Sequence, residues 1–256
     1  MAIAIVGDIH GRLTEMYQRL DTIEKQRNLK IDCVFQVGDF KALRDERDLR
    51  YYRGPKIYHS LGDFPHFFKI GRVPKKTFFI GGNHDNDHWH SEHPEGQQVL
   101  ENLFYLGRSG VSQIEDFKFA WVSGNYSPVD IDKTSPRRYH HFTRKDLEKL
   151  HGAENIDFLL LHDCPSFSDI SSRVGLEILS KPEFQQGLKR NFGNTPLYEI
   201  IEQLKPQFSF SGHIHHNFDI NIYLDDGNTR LVILDELGNP GSIYILNSNQ
   251  SLYSVE

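Results

Sequence analysis

Five short segments carry side chains able to bind metal ions: Gly7-Asp8-Ile9-His10-Gly11, Gly38-Asp39-Phe40, Gly81-Gly82-Asn83-His84-Asp85, His162-Asp163 and Gly212-His213-Ile214-His215-His216. Carboxylate oxygens, imidazole nitrogens and amide oxygens are donors that Mn, Fe and Zn accept. Asp8, His10, Asp39, Asn83, His162, His213 and His215 together make a set for two divalent metal ions. Asp39 is the best candidate for a carboxylate shared between them. The chemistry open to such a pair is phosphoester hydrolysis. Two cations about 3.5–4 Å apart neutralise the anionic oxygens, acidify a bound water and clamp the attacking and leaving groups. Taken singly, each segment has a plainer explanation: a turn beside a surface histidine, a hairpin, a satisfied buried histidine. Five of them in one chain are better explained as one centre.

A short apolar run precedes each segment: Ile3-Ala4-Ile5-Val6, residues 33–37, Phe78-Phe79-Ile80, residues 158–161 and Phe208-Ser209-Phe210. Runs of β-branched and aromatic residues bounded by glycine and polar residues predict strands. Residues just past the carboxyl ends of strands line the ligand crevice of an open α/β sheet. All five segments fall there. Gly7, Gly11, Gly38, Gly82 and Gly212 are expected to let the backbone turn sharply. The i, i+2 spacing of Asp8/His10 and His213/His215 predicts extended strand ends, whose alternate side chains point to one side.

Leu13, Met16, Tyr17, Leu20 and Ile23 form one apolar helix face. Leu197, Ile200, Ile201 and Leu204 repeat it, with Thr195 as the expected N-cap and Pro196 in the first turn. From about Asn217 to Tyr253, apolar runs separated by Asp226-Gly227 and Asn239-Pro240-Gly241 predict antiparallel strands. The expected class is α/β, with two packed sheets flanked by helices. No repeat, low-complexity tract or linker divides residues 1–256, so a single domain is expected.

Hydrophobic content of 38%, with 12% aromatic residues, suits a packed core and excludes a disordered chain. A net charge of -6 opposes general attraction to polyanions but leaves room for a local basic patch. Cys33 and Cys164 are the only cysteines, which fits a reducing compartment rather than a disulfide framework. Met1-Ala2-Ile3 runs straight into a strand-like segment, and no apolar run nears the ~20 residues of a membrane span. A cytoplasmic protein with no membrane association and no obligatory protein partner is expected.

Gly7-Asp8-x-His10, Gly38-Asp39, Gly82-Asn83-His84-Asp85, His162 and Gly212-His213-x-His215 resemble the motif series of the calcineurin-like metallophosphoesterases. The likeness covers essentially the whole chain. It implies a four-layer αββα sandwich of two mixed sheets. It also implies that Asp8, His10, Asp39 and His215 hold one metal, and Asp39, Asn83, His162 and His213 the other. A metal-bridging hydroxide would then attack in line, while His84 contacts the scissile phosphate and protonates the leaving oxygen. Asp85 would orient His84 or keep it charged, or else sit at a helix N-terminus.

Phosphoprotein phosphatases and dinucleotide polyphosphate hydrolases carry Asp-Arg-Gly shortly after the second motif. This chain instead reads Gly38-Asp39-Phe40-Lys41-Ala42-Leu43-Arg44-Asp45-Glu46. That stretch, with Asp48-Leu49, residues 102–107, Ser123-Gly124-Asn125, residues 141–150 and Leu204-Lys205-Pro206, resembles the catalytic domain of RNA lariat debranching enzymes. The likeness implies a phosphodiesterase acting on RNA, DNA or a nucleotide. Those enzymes carry Cys in the place of Asp8, and a carboxylate there should hold the first metal in the ordinary two-ion manner. The chain also ends near the expected end of the catalytic domain.

Residues 133–145 hold Lys133, Arg137, Arg138, Arg144 and Lys145 without an acid, interleaved with Tyr139 and Phe142. Cations for phosphates and rings for stacking fit single-stranded nucleic acid, which makes Arg137, Arg138, His141 and Arg144 candidate substrate contacts. The plainer alternative is a solvated loop leading into a helix. The histidines of His88-Trp89-His90 and His93 are expected in a substrate-side loop or on plain surface, and the cysteines as small buried residues. A phosphomonoesterase or protein phosphatase is the rival enzyme. A non-catalytic scaffold is the rival of another class; it should have lost ligands that are all present here.

Overall fold

The computed structural model describes residues 1–52 and 54–255, whose strands form two six-stranded sheets. The first sheet holds β1 (Ala2–Val6), β2 (Cys33–Gln36), β3 (Arg72–Phe79), β4 (Gln97–Tyr105), β11 (Ile243–Asn247) and β12 (Leu252–Ser254), in the order β12-β11-β1-β2-β3-β4. The second holds β5 (Ser109–Ile114), β6 (Phe117–Val122), β7 (Phe158–Leu161), β8 (Phe208–Ser211), β9 (Phe218–Leu224) and β10 (Gly227–Ile233), in the order β5-β6-β7-β8-β10-β9. Each sheet is mixed, with a parallel centre. β1 to β4 run parallel, as do β6, β7, β8 and β10, while β11, β5 and β9 pair antiparallel.

Alternation along the strands builds the layers. Ile3 and Ile5 face the second sheet, among Phe35, Phe119, Phe158, Leu160 and Phe210. Their neighbours Ala2, Ala4 and Val6 face the helix Leu13–Arg27, whose buried residues are Leu13, Met16, Tyr17, Leu20 and Ile23. On β7, Phe158 and Leu160 point between the sheets, whereas Leu159 and Leu161 meet the helix Thr195–Leu204. Helices thus cover both outer faces of a sheet sandwich, giving the four-layer αββα arrangement. No described helix is long and apolar enough to cross a membrane.

Two local expectations change. Asn194, not Thr195, caps the helix Thr195–Leu204, its side chain accepting from the Leu197 amide at 3.1 Å. Asparagine in extended backbone outcompetes a threonine that has already entered the helix. The C-terminal strands also do more than form hairpins. β9 and β10 turn through Asp225-Asp226, but β10 lies parallel to β8, and β11 crosses to the other sheet beside β1.

Cys33 and Cys164 are buried, and burial pushes the Cys33 thiol up to about 12. The inter-sheet core centres on Phe35, which stacks on Phe78 at 5.0 Å and meets Phe119 and Phe158 edge-on at 4.9 and 5.3 Å. Phe35→Ala is therefore expected to cost about 3–5 kcal/mol in urea unfolding. A loss below about 1 kcal/mol would show that the sheets do not depend on this ring.

Candidate metal centre

The parallel strands of both sheets deliver their carboxyl ends to one rim. Asp8 and His10 follow β1, Asp39 follows β2, Asn83 and His84 follow β3, His162 follows β7, and His213 and His215 follow β8. Donor atoms of Asp8, His10 and His215 lie within 4.8 Å of one another, as do those of Asp8, Asp39 and His162. His215 Nε2 is 3.1 Å from Asp8 Oδ2 and 3.2 Å from His10 Nε2. His162 Nε2 is 2.9 Å from Asn83 Oδ1 and 3.5 Å from Asp39 Oδ1. The His213 amide donates to Asp8 Oδ2 at 3.1 Å, and its ring lies 5.0 Å from that of His162. All seven expected ligands come together.

The donor chemistry fits cations. His162 Nδ1 lies 2.9 Å from the Val37 carbonyl, which can only accept, so Nδ1 carries the proton. In the neutral ring, Nε2 then presents a lone pair towards another acceptor, Asn83 Oδ1. Such a pair is satisfied by a shared cation, and a backbone carbonyl on the far nitrogen is how metal-binding histidines are oriented. His10 Nδ1 and Asp39 Oδ2 are buried with no hydrogen-bond partner. Burial alone would raise Asp39, but His162, His84 and His10 hold it well below the usual carboxylate range.

Further residues position the ligands. Gln36, buried at the end of β2, donates to the carbonyls of Gly7 and Gly38 and accepts from the Gly38 amide at 3.1 Å. That one amide ties together the turns carrying Asp8 and Asp39. His84 donates its backbone N–H to Asp39 Oδ1 at 2.7 Å, and its Nε2 lies 4.0 Å from Asp39 Oδ2. On the other side of the ring, Nδ1 lies 3.4 Å from the Tyr52 hydroxyl. Burial lowers His84 to about 4 against the pull of Asp39.

Asp85 neither touches the His84 ring nor caps a helix. Its carboxylate accepts from the Gly82 amide at 2.7 Å and from the Lys41 amide, and Asn86 caps the helix Asp87–Glu92. Side chains follow hydrogen-bond need, and two buried amides outweigh one imidazole already served by Tyr52.

An arch over the centre was not foreseen. Tyr58 stacks on His10 at 3.9 Å and sends its hydroxyl to Glu236 Oε2 at 3.2 Å. Glu236 stands 3.7 Å from His215 Nδ1. Buried Lys41 donates through Nζ to the Tyr58 carbonyl and lies 5.0 Å from the Tyr52 ring centre. The aromatic stretch after the second motif was a signal for the tyrosines. Glu236 had none, since long-range contacts bring it to the rim: the pairing of β10 with β8, and the Leu237 amide donating to the Asp8 carbonyl at 2.8 Å.

The basic segment is arranged differently from its sequence pattern. Asp130 and Asp132, just upstream, pair with His141 at 2.7 Å and Arg144 at 2.8 Å. Arg137 and Arg138 are exposed. Among the described residues, no hydrogen bond or ion pair joins these four candidates to the seven ligands. Of the downstream histidines, His90 is buried and stacks on Tyr105 at 4.2 Å, and His93 stacks on Trp89 at 4.5 Å. They are packing residues.

The family model for calcineurin-like phosphoesterases matches residues 1–217. This chain belongs to that family. It is 30% identical to the lariat debranching enzyme of Arabidopsis thaliana over 252 residues, 92% of this chain and 60% of the plant protein. The Entamoeba histolytica lariat debranching enzyme is 31% identical over 261 residues, 96% of this chain and 71% of that protein. For the human enzyme the figures are 31% over 232 residues, 85% of this chain and 42% of the human protein. The chain thus spans less than two thirds of the plant and human proteins.

In this calcineurin-like centre the backbone at four of the candidate ligands is not extended. His10, Asp39, His213 and His215 have φ of 47°, 55°, 68° and 49°, all left-handed. The i, i+2 pairs therefore come from tight turns, which bring the chain back over the strand end. Of the motif glycines, Gly11 and Gly38 also use left-handed backbone, whereas Gly7, Gly82 and Gly212 do not. Gly82 supplies space instead: a Cβ there would stand 2.2 Å from Asp39 Oδ1. Gly82→Ala should displace Asp39 and lower metal affinity about 10–100-fold, the scale of losing a supporting contact. Metal content after dialysis, set against the melting temperature, tests this. Full metal retention in a folded variant would refute the close-approach role.

Proposed function

We propose that this chain is a metal-dependent phosphodiesterase acting on RNA, DNA or a nucleotide, with RNA the class favoured by its relatives. The observation that carries the reading is the convergence of Asp8, His10, Asn83, His162, His213 and His215 around the ionised carboxylate of Asp39, one oxygen of which has no hydrogen-bond partner. Asp8, His10, Asp39 and His215 would hold one ion, and Asp39, Asn83, His162 and His213 the other. When bound, two divalent ions such as Mn, Fe or Zn neutralise phosphate charge and lower the pKa of a water.

The remaining work falls to this chain's own residues. His84 is tied through its backbone to Asp39 and faces the carboxylate's free oxygen with Nε2, so it sits where a phosphate between the ions would be met. Tyr52 at Nδ1 fixes the ring, and the negative charge of a bound phosphate would favour the protonated imidazole, which passes its Nε2 proton to the leaving oxygen. Arg137 and Arg138, exposed and with no side-chain ion pair to the acids that hold His141 and Arg144, meet backbone phosphates. A diester reading is favoured by the absence of Asp-Arg-Gly after Asp39 and by the debranching relatives.

With Mn²⁺, bis-p-nitrophenyl phosphate should be cleaved in preference to p-nitrophenyl phosphate, and EDTA should abolish the activity. A panel of linear RNA, 2′,5′-branched RNA, single-stranded DNA and cyclic nucleotides then identifies the substrate. A strong monoester preference makes the chain a phosphomonoesterase, and cleavage of nothing makes it a scaffold. His84→Ala should lower kcat about 10²–10⁴-fold at unchanged metal content. Undiminished turnover in that variant would remove His84 from the reaction.

A further inference from the structure

A concavity of about 330 Å³ is walled by Tyr51, Phe68, His88, Arg44, Arg47 and Asp45. Three short helices supply its walls: Glu46–Leu49, Phe64–Ile70 and Asp87–Glu92. Chain connectivity keeps the concavity close to the His84 side of the centre. Tyr51 immediately precedes Tyr52, whose hydroxyl lies 3.4 Å from His84 Nδ1, and His88 follows His84 by four residues, in the first turn of the helix Asp87–Glu92.

Its chemistry is that of a nucleotide subsite. Tyr51 is 47% exposed and Phe68 45%, although a fold with this many aromatics has an interior available to bury them. Scattered exposed rings are ordinary, but rings that line one hollow together present faces to a planar ligand. Tyr51 and His88 meet edge-on at 4.6 Å and 64°, an arrangement that leaves ring faces uncovered. Arg44 is fixed by a two-point contact with buried Asp48, through Nε at 2.7 Å and Nη2 at 2.8 Å. Exposed Arg47 makes the same kind of contact with the half-buried Asp45, at 3.0 and 2.7 Å. A guanidinium has five donors, so each arginine spends only part of its fork and can add a phosphate oxygen.

We infer that this cleft binds a base, and the phosphate attached to it, of a single-stranded nucleic acid whose scissile bond lies at the metal centre. The inference rests on the phosphodiesterase reading and adds a subsite to it. Stacking on an aromatic side chain is tolerant of base identity, so the cleft contributes grip rather than sequence preference.

The test is the ratio of kcat/KM on the best nucleic acid of the panel to kcat/KM on bis-p-nitrophenyl phosphate, a substrate with no base to stack. Tyr51→Ala should lower this ratio about tenfold, mostly through KM, and Tyr51→Trp should restore it. An unchanged ratio in Tyr51→Ala, with nucleic acid still cleaved, overturns the subsite alone. Equal losses on both substrates also overturn it, because they mark Tyr51 as a packing residue. A wild-type protein that cleaves bis-p-nitrophenyl phosphate but no nucleic acid removes the nucleic-acid reading and the subsite together.

Discussion

Asp39 is an ionised carboxylate with 1% exposure, set where two sheets meet, and much of the rim is organised around that charge. Burying such a group costs several kcal/mol unless it is paired and hydrogen-bonded. His84 gives one oxygen a backbone N–H, three histidines surround the carboxylate, and the Asp39 carbonyl receives the His10 amide at 2.9 Å. Even Asp85 is affected: burial and the neighbouring Asp39 charge raise it, and two backbone amides hold it in place. One oxygen of Asp39 still lacks a partner. The protein has left the most expensive atom in the site incompletely satisfied, as expected where cations complete the coordination.

The same rim concentrates backbone strain. A non-glycine residue in left-handed backbone costs on the order of 1–3 kcal/mol and persists only where surrounding structure dictates it. Four of the candidate ligands adopt it, and rigid neighbours hold them: the parallel strands, Gln36 and the Tyr58 arch. Strain at the ligands and order in the sheets are two sides of one arrangement, in which a regular scaffold supports irregular turns.

This division explains how much was legible in the sequence. Strand and helix faces follow from periodicity, so the Leu13–Arg27 helix emerged with its five buried residues as expected. The convergence of the seven donor residues was legible because metal donors are few in kind and were clustered at strand ends. Tight turns follow no period, and the left-handed conformations of His10 and His213 were read as extended. Long-range pairing was invisible as well. Glu236 reaches the rim through β10 and the Leu237–Asp8 backbone hydrogen bond, and the acids paired with Lys133, His141 and Arg144 lie just outside the basic stretch. Asp85 was misread because its partners are backbone amides, which sequence does not display.

β1 carries Asp8 and His10, yet it lies between β2 and β11, and β11 comes from residues 243–247. His162, His213 and His215 arrive on the other sheet. No N-terminal fragment emerging from a ribosome can therefore assemble the rim as seen here, even though it already contains Asp8, His10 and Asp39. Ion capture by these residues would then be a late event, available only when the final strands close on the first. From then on it would act as a latch: an ion at a thousand times its dissociation constant adds about 4 kcal/mol to the closed form.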